Sequence, residues 1–192
     1  MPDAAQILVF DTGPLSHLAQ QGWLGVLRFV AGERTMIIPE AVVAELREGL
    51  PGRPHLRLVL DATWIEHRDL VTDAEAAAFR DFSRLLVVGR RNRGEAAVLA
   101  YAREHGGIAV IDDGPGRKAA AARGVQCQGT LALLCQAVRE GQLTLPLISA
   151  LADHLLESEY RLPFARGGFE QWARKNDLLP MDPGRAGSAV VT

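Results

Sequence analysis

The sequence predicts an α/β domain with a central parallel sheet and a helical C-terminal extension. Three observations carry this. The runs Ile7–Phe10, Met36–Ile38 and Ile108–Ile111 are short, continuous and apolar with β-branched residues, the pattern of strands buried on both faces. Between them lie segments with helical apolar spacing and recognisable start and stop signals. From about residue 142 only helical patterns follow, so the strand–helix alternation gives way to helices alone.

In order, the first run stops at Asp11, and Thr12-Gly13-Pro14 offers a helix start, because proline is tolerated where an N–H has no partner anyway. Pro39 opens a helix through about Arg47, closed by Gly49. Thr63–Ile65 is a weaker strand candidate. Thr72-x-x-Glu75 is a capping box, so a helix starts at Asp73 and runs through Phe79, Phe82, Leu85 and Leu86 at helical spacing. A helix over Gly94–His105 stops at Gly106-Gly107. The Ile108–Ile111 strand ends at Asp112-Asp113, and an alanine-rich helix follows over about Gly116–Arg123. Thr130–Glu140, Pro146–Glu157 and Gly168–Lys175 read as the last helices. No linker divides the chain, so residues 1–178 are expected to form a single domain, with residues 179–192 as a mobile tail.

Length and composition bound the function. The 192 residues are 48% hydrophobic and 23% charged, enough for one core of ordinary size. A net charge of −2 excludes a bulk polyanion binder, so any nucleic-acid contact must come from a local basic patch. The two cysteines, Cys127 and Cys135, lack CxxC spacing and a histidine cluster, which reads as reduced core thiols rather than zinc ligands or a disulfide frame. Residues 1–6 carry no signal-peptide pattern, and no run approaches the ~18 apolar residues of a membrane span. The expected location is cytoplasmic.

The carboxylates carry the chemistry. Asp11 ends one strand and Asp112-Asp113 end another, and in an open parallel sheet the carboxyl ends of the strands face one crevice. Glu45 and Glu95 lie in helices with otherwise apolar surroundings. Crowded carboxylates raise one another's pKa or bind a cation, and an all-oxygen set suits Mg²⁺ or Mn²⁺. Phosphodiester hydrolysis is the natural reaction of such a site. Each acid also has a structural role open to it. Asp11 and Asp113 are suitable helix caps, Glu95 is favoured by the dipole of the helix it opens, and Glu45 can be a solvated side chain.

In this order the motifs resemble a known family. Ile7-Leu-Val-Phe-Asp11-Thr12-Gly-Pro-Leu-Ser16 resembles the opening strand and Asp-Thr/Ser motif of PIN domains. The segments around Glu45, around Gly94-Glu95 and over Val110-Ile111-Asp112-Asp113 resemble their other acidic motifs. Gly129–Gly141 resembles the continuation found in a PIN branch catalogued as a domain of unknown function. The resemblance covers residues 5–178 and implies a three-layer α/β/α sandwich. It also implies an endoribonuclease dependent on Mg²⁺ or Mn²⁺, similar to the VapC-like toxin ribonucleases that a small antitoxin holds silent and that commonly form homodimers. Asp11, Glu45, Glu95 and Asp113 would form the acidic cluster, with Asp112 competing with Asp113. Asp11, Glu95 and one or both of Asp112 and Asp113 would hold the metal, and Thr12 and Ser16 would be supporting hydroxyls. Glu95 departs from the family, where aspartate is common, and the helical region after Leu143 is longer than in minimal PIN toxins.

Arg84, Arg90, Arg91 and Arg93 cluster just before Glu95 and are candidates for RNA phosphates, as is Arg117, followed by Lys118. His17, early in the first helix, reads either as a residue facing the pocket or as a structural histidine. Leu85-Leu86-Val87-Val88 offers an apolar dimer face. A phosphatase of the Asp-x-Asp type is excluded because no second aspartate follows Asp11. A receiver domain would need an acidic pair near the first strand and a late-strand lysine, and neither is evident here. The remaining alternative is a catalytically silent PIN-like scaffold that binds RNA or a protein partner.

Overall fold

β1 (Ile7–Phe10) is the middle strand of a parallel sheet with the order β3-β2-β1-β4-β5, in a computed structural model that describes residues 7–89, 91–158 and 160–180. β2 (Thr35–Pro39) and β3 (Ile65–Arg68) lie on one side of it, and β4 (Ile108–Val110) and β5 (Cys127–Gln128) on the other. Leu8, Val9 and Phe10 are fully buried although consecutive strand residues point to opposite faces. Both faces of the sheet are therefore covered, as the continuous apolar runs required. The expected helix-flanked parallel architecture is the one present.

The connections follow the local sequence. α1 (Thr12–Gln20) begins directly after β1, with Asp11 as its N-cap. Pro39 ends β2 in an extended conformation, and α3 (Glu40–Gly49) starts one residue later than Pro39 itself. α5 (Asp73–Leu86) opens on the complete capping box of Thr72 and Glu75. α6 (Arg93–His105) carries Ala96-Ala97-Val98-Leu99-Ala100, all at most 1% exposed, so this helix is enclosed on every side. Small residues let it be enclosed without overpacking. α7 (Gly114–Ala122) and α8 (Thr130–Arg139) follow β4 and β5, and α9 (Leu145–Glu157) and α10 (Phe169–Lys175) complete the order.

Three elements lie outside the sequence expectations, and one strand is displaced. α2 (Leu24–Ala31) is a mostly apolar segment whose N-cap, Trp23, makes no side-chain capping bond, so neither periodicity nor a start signal marks it. α4 (Leu56–Leu60) has five residues and β5 two, both shorter than a pattern can reveal. The strand expected at Thr63–Ile65 lies at Ile65–Arg68, because the edge strand carries the polar residues Glu66, His67 and Arg68 and an apolar run does not report it.

The chain forms two compact units, Met1–Leu133 and Leu134–Thr192, with the boundary inside α8. The first holds the sheet and α1–α7. In the second, Phe164, Phe169 and Trp172 cluster with ring centroids 5.3–6.4 Å apart. There Leu179 is buried and Arg174 donates to the Pro180 carbonyl, so the chain is held to Pro180. The rest of the expected tail, from Met181, lies outside the described residues, as do residues 1–6 and Arg90. Cys127 is half-buried and Cys135 buried, and both are free thiols. No helix among the described residues is long and apolar enough to cross a membrane.

Candidate active site

The order of the sheet reverses at β1: the chain moves to β2 on one side and later returns to β4 on the other. The crevice at the carboxyl ends of β1 and β4 is thus the topological switch point, where open α/β sheets bind ligands. The Asp11 N–H donates to the Val110 carbonyl at 3.2 Å and Ile111 N–H to Gln128 at 3.0 Å, so the ladder carries both chains to the rim of that crevice. Asp11 and Asp112-Asp113 leave the sheet there.

Asp11 is 9% exposed, and its Oδ2 accepts from the Gly13 N–H at 3.2 Å. The cap role and the pocket position coincide: the carboxylate that starts α1 also borders the crevice. Burial raises its pKa, the N–H groups of Gly13 and Thr12 lower it, and the charges of Glu45 and Asp112 raise it again, to about 7.

Glu45, half-buried on α3, spans two other helices. Its Oε2 accepts from Thr12 Oγ1 and its Oε1 from the Gly94 N–H, both at 2.8 Å. Gly94 is the second residue of α6, and its amide is one of the orphan donors of a helix start. A Cβ at Gly94 would lie 2.7 Å from Glu45 Oε2, so this clamp requires glycine.

Glu95 is the next residue and is 9% exposed. Its Oε2 is buried with no hydrogen-bond partner among the described residues. Burial, then the charges of Asp11, Asp113 and Glu45, push its pKa up to about 8. The dipole of α6 works the other way, but such an interaction is worth about 0.3–1 kcal/mol, less than one pKa unit. Gly116 on α7 makes room for this side chain, since a Cβ there would lie 3.2 Å from Glu95 Oε2.

The aspartate pair divides its contacts. Half-buried Asp112 accepts from the Thr130 N–H through Oδ1 and from the Thr130 hydroxyl through Oδ2, both at 2.7 Å. Thr130 itself is 1% exposed. Asp113 is exposed and serves as the N-cap of α7 without a side-chain capping bond. Asp112 acts electrostatically on Asp11, and Asp113 on Glu95.

Asp11 is thus within electrostatic range of Glu45, Glu95 and Asp112, and Glu95 of Asp113 and Glu45, while Thr12 joins this group through Glu45. Ser16 is buried one turn further along α1, with its Oγ 3.4 Å from His55 Nε2. Arg117 stands beside Asp112: a Cβ at Gly129 would be 3.0 Å from Asp112 Oδ1 and 3.3 Å from Arg117 Nη1. Arg84, Arg91 and Arg93 are exposed. The part played by Thr130 was not foreseen, because a threonine at a helix start reports nothing about an aspartate 18 residues before it. The Gly94 amide was legible only as a glycine next to a glutamate.

Among the described residues no three His, Cys, Asp or Glu side chains stand close enough together to form a ready-made metal cage. The donor chemistry nevertheless fits a hard divalent cation. The donors are all carboxylate oxygens, one of them is buried without a hydrogen-bond partner among the described residues, and burial with neighbouring carboxylates pushes Asp11 up to about 7 and Glu95 up to about 8. Mg²⁺ takes only one or two protein carboxylates and keeps several waters, so a complete cage is not a requirement.

A parallel sheet whose strand order reverses at β1, with carboxylates that follow β1 and β4 in electrostatic range of others on α3 and α6, defines an α/β protein with an acidic switch point. A family model described as a PIN domain matches residues 7–166, and the chain belongs to the PIN-domain family. The fold is a nuclease fold, and members of the family are generally nucleases that use divalent metal ions. A search of the curated proteins gives no match.

Proposed function

We propose that this chain is an endoribonuclease that hydrolyses RNA phosphodiester bonds with Mg²⁺ or Mn²⁺, and that it is the toxin of a type II toxin–antitoxin pair. The observation that carries the reading is Glu95, a buried carboxyl with an oxygen that has no hydrogen-bond partner among the described residues, within electrostatic range of Asp11, Asp113 and Glu45. An enzyme that needed no cation would gain by replacing such a residue with an apolar one.

In this reading Asp11, Glu95 and Asp113 hold the ion, with Asp112 as a further ligand. A bound divalent ion supplies positive charge to the scissile phosphate and lowers the pKa of an attacking water. Glu45 is oriented by Thr12 and Gly94 and keeps a free lone pair on each oxygen, so it can accept a proton from water entering the pocket. Thr130 fixes the direction of the Asp112 carboxylate. Arg117 is a candidate for a substrate phosphate, as are Arg91 and Arg93; Arg90, named with them, lies outside the described residues. The toxin role brings a small antitoxin and homodimerisation with it. Leu85 and Val88, 48% and 75% exposed, support a dimer face at the end of α5.

The absence of a ready-made cage among the described residues favours a second reading, a silent scaffold that binds RNA or a protein without cutting. One experiment separates the two. Single-stranded and structured RNA are incubated with the chain and Mg²⁺, Mn²⁺ or EDTA. Cleavage that needs the metal and vanishes in Asp11→Asn supports the nuclease. Binding with no cleavage under any condition supports the scaffold.

A further inference from the structure

The carboxylate pocket has a wall of opposite character that neither the motifs nor the family match assigns. His17, half-buried on α1, lies within electrostatic range of Asp112, Arg53 and His55. His55, just before α4, faces the buried Ser16 hydroxyl through Nε2 at 3.4 Å. Arg53 lies in the turn after α3, where its N–H donates to the carbonyls of Gly49 at 3.0 Å and Leu50 at 3.2 Å. Its guanidinium rests on the last residue of α3, since a Cβ at Gly49 would lie 2.5 Å from Arg53 Nη2. The carbonyl end of a helix favours a cation there. Arg53 is exposed and has no carboxylate partner among the described residues.

We propose that Arg53, His55 and His17 form a subsite for a backbone phosphate of the RNA strand, flanking the bond cut in the acidic pocket. The subsite rests on the nuclease reading above and deepens it. A guanidinium with no carboxylate partner among the described residues, on a backbone held by two hydrogen bonds and in electrostatic range of His17, offers N–H donors for the monoanionic oxygens of a phosphodiester. The same chain bears five carboxylates around the neighbouring crevice, so a polyanionic substrate approaching it needs positive charge on an adjoining wall. Arg91 and Arg93, at the start of α6, are exposed.

The test is binding of a fluorescently labelled single-stranded RNA oligonucleotide to the full chain in EDTA, over a series of salt concentrations. Arg53→Ala, His55→Ala and the double variant are compared with Arg91→Ala/Arg93→Ala, with thermal melts as a check on folding. Removing one phosphate-binding cation should flatten the slope of log affinity against log salt by about 0.7. The double variant is expected to bind about tenfold more weakly at low salt with a flatter slope, and Arg53→Lys should restore most of the slope. Unchanged affinity and slope in a folded double variant, while the parent chain binds and cleaves RNA, overturn the subsite and leave the nuclease reading standing. If the parent neither binds nor cleaves RNA with Mg²⁺ or Mn²⁺, the nuclease reading fails and the subsite fails with it.

Discussion

Glu75 and Glu95 occupy the same place in two successive helices, the third residue of α5 and of α6, and both are buried. Their surroundings are opposite. Burial alone would raise the pKa of Glu75, but His105 reaches its Oε1 at 2.7 Å, and the Thr72 N–H, the Thr72 hydroxyl and the Val71 N–H meet its Oε2. Together these donors bring it down to about 2. The N-cap of α6, Asn92, has φ 63° and turns its side chain to the Leu86 carbonyl, so Glu95 receives no capping box. Burial, with the charges of three other carboxylates, instead pushes it up to about 8. One glutamate is a completed helix cap, and the other is a carboxyl kept in want of a positive charge. The difference teaches that helix position does not decide the role of an acid; burial raises both groups, and the donors and charges around each decide whether that rise stands.

The comparison breaks most visibly in activity. Asp11→Asn or Glu95→Gln should lower metal-dependent RNA cleavage on the order of 10²–10³-fold. Asparagine is as good an N-cap as aspartate, so the first change removes charge while leaving the start of α1 intact. Glu75→Ala should leave the cleavage rate within about twofold once the folded fraction is corrected for, since Glu75 is not among the acids bordering the crevice. Equal losses from Glu75→Ala and Glu95→Gln would erase the distinction. Next in size is the clamp that sets the pocket. Gly94→Ala places a methyl 2.7 Å from Glu45 Oε2 and should cost about 10–100-fold in cleavage, as removal of an orienting interaction does. A kinetic assay at saturating metal measures it, and an unimpaired rate would show that Glu45 need not rest on α6.

Stability reverses the ranking. Glu75→Ala leaves His105 and three donors near α5 without their acceptor and should lower unfolding free energy by about 1–3 kcal/mol, seen in denaturant melts. His105 also stacks on Tyr101 with centroids 4.1 Å apart, so the loss loosens that pair too. Glu95→Gln should not destabilise the metal-free protein at neutral pH, because it removes a carboxyl that folding must keep protonated.

Much of this was legible in the sequence, and the reason differs from residue to residue. The Thr72–Glu75 box is a local pattern, and α5 starts where it predicts. The strand ends at Asp11 and Asp112 were legible because apolar runs stop there, and the order of the sheet then brings them to one crevice. The contrast between Glu75 and Glu95 was not legible, since it depends on Asp11, Asp113 and Glu45, which are remote in sequence. Thr130 and His55 were missed for the same reason: each meets its partner through the fold, and a lone threonine or histidine has no spacing to betray it. The polar edge strand β3 was displaced because apolar patterning reports burial, and an edge carries little of it.

The smallest effect is the most specific to the comparison, the dependence of metal-free stability on pH. Asp11 and Glu95 have folded pKa values of about 7 and about 8, above their ordinary carboxyl values of 3.8 and 4.5. The folded state therefore binds their protons more tightly than the unfolded chain does. Their contribution is complete below about pH 4 and is lost as pH rises through 7 and 8, so stability falls with rising pH over that window. Glu75 has the opposite sign: its contribution is complete above its ordinary value of 4.5 and is lost as pH falls through about 2. Melting in EDTA between pH 5 and 9 should show Tm falling by a few degrees for the parent chain, by less for Asp11→Asn or Glu95→Gln, and by as much as the parent for Glu75→Ala. Adding Mg²⁺ or Mn²⁺ should flatten the parent's curve, because a cation in the crevice replaces the missing protons. If the parent's curve is flat without metal, Glu95 is not a stressed carboxyl, and it then belongs with Glu75 among the structural acids.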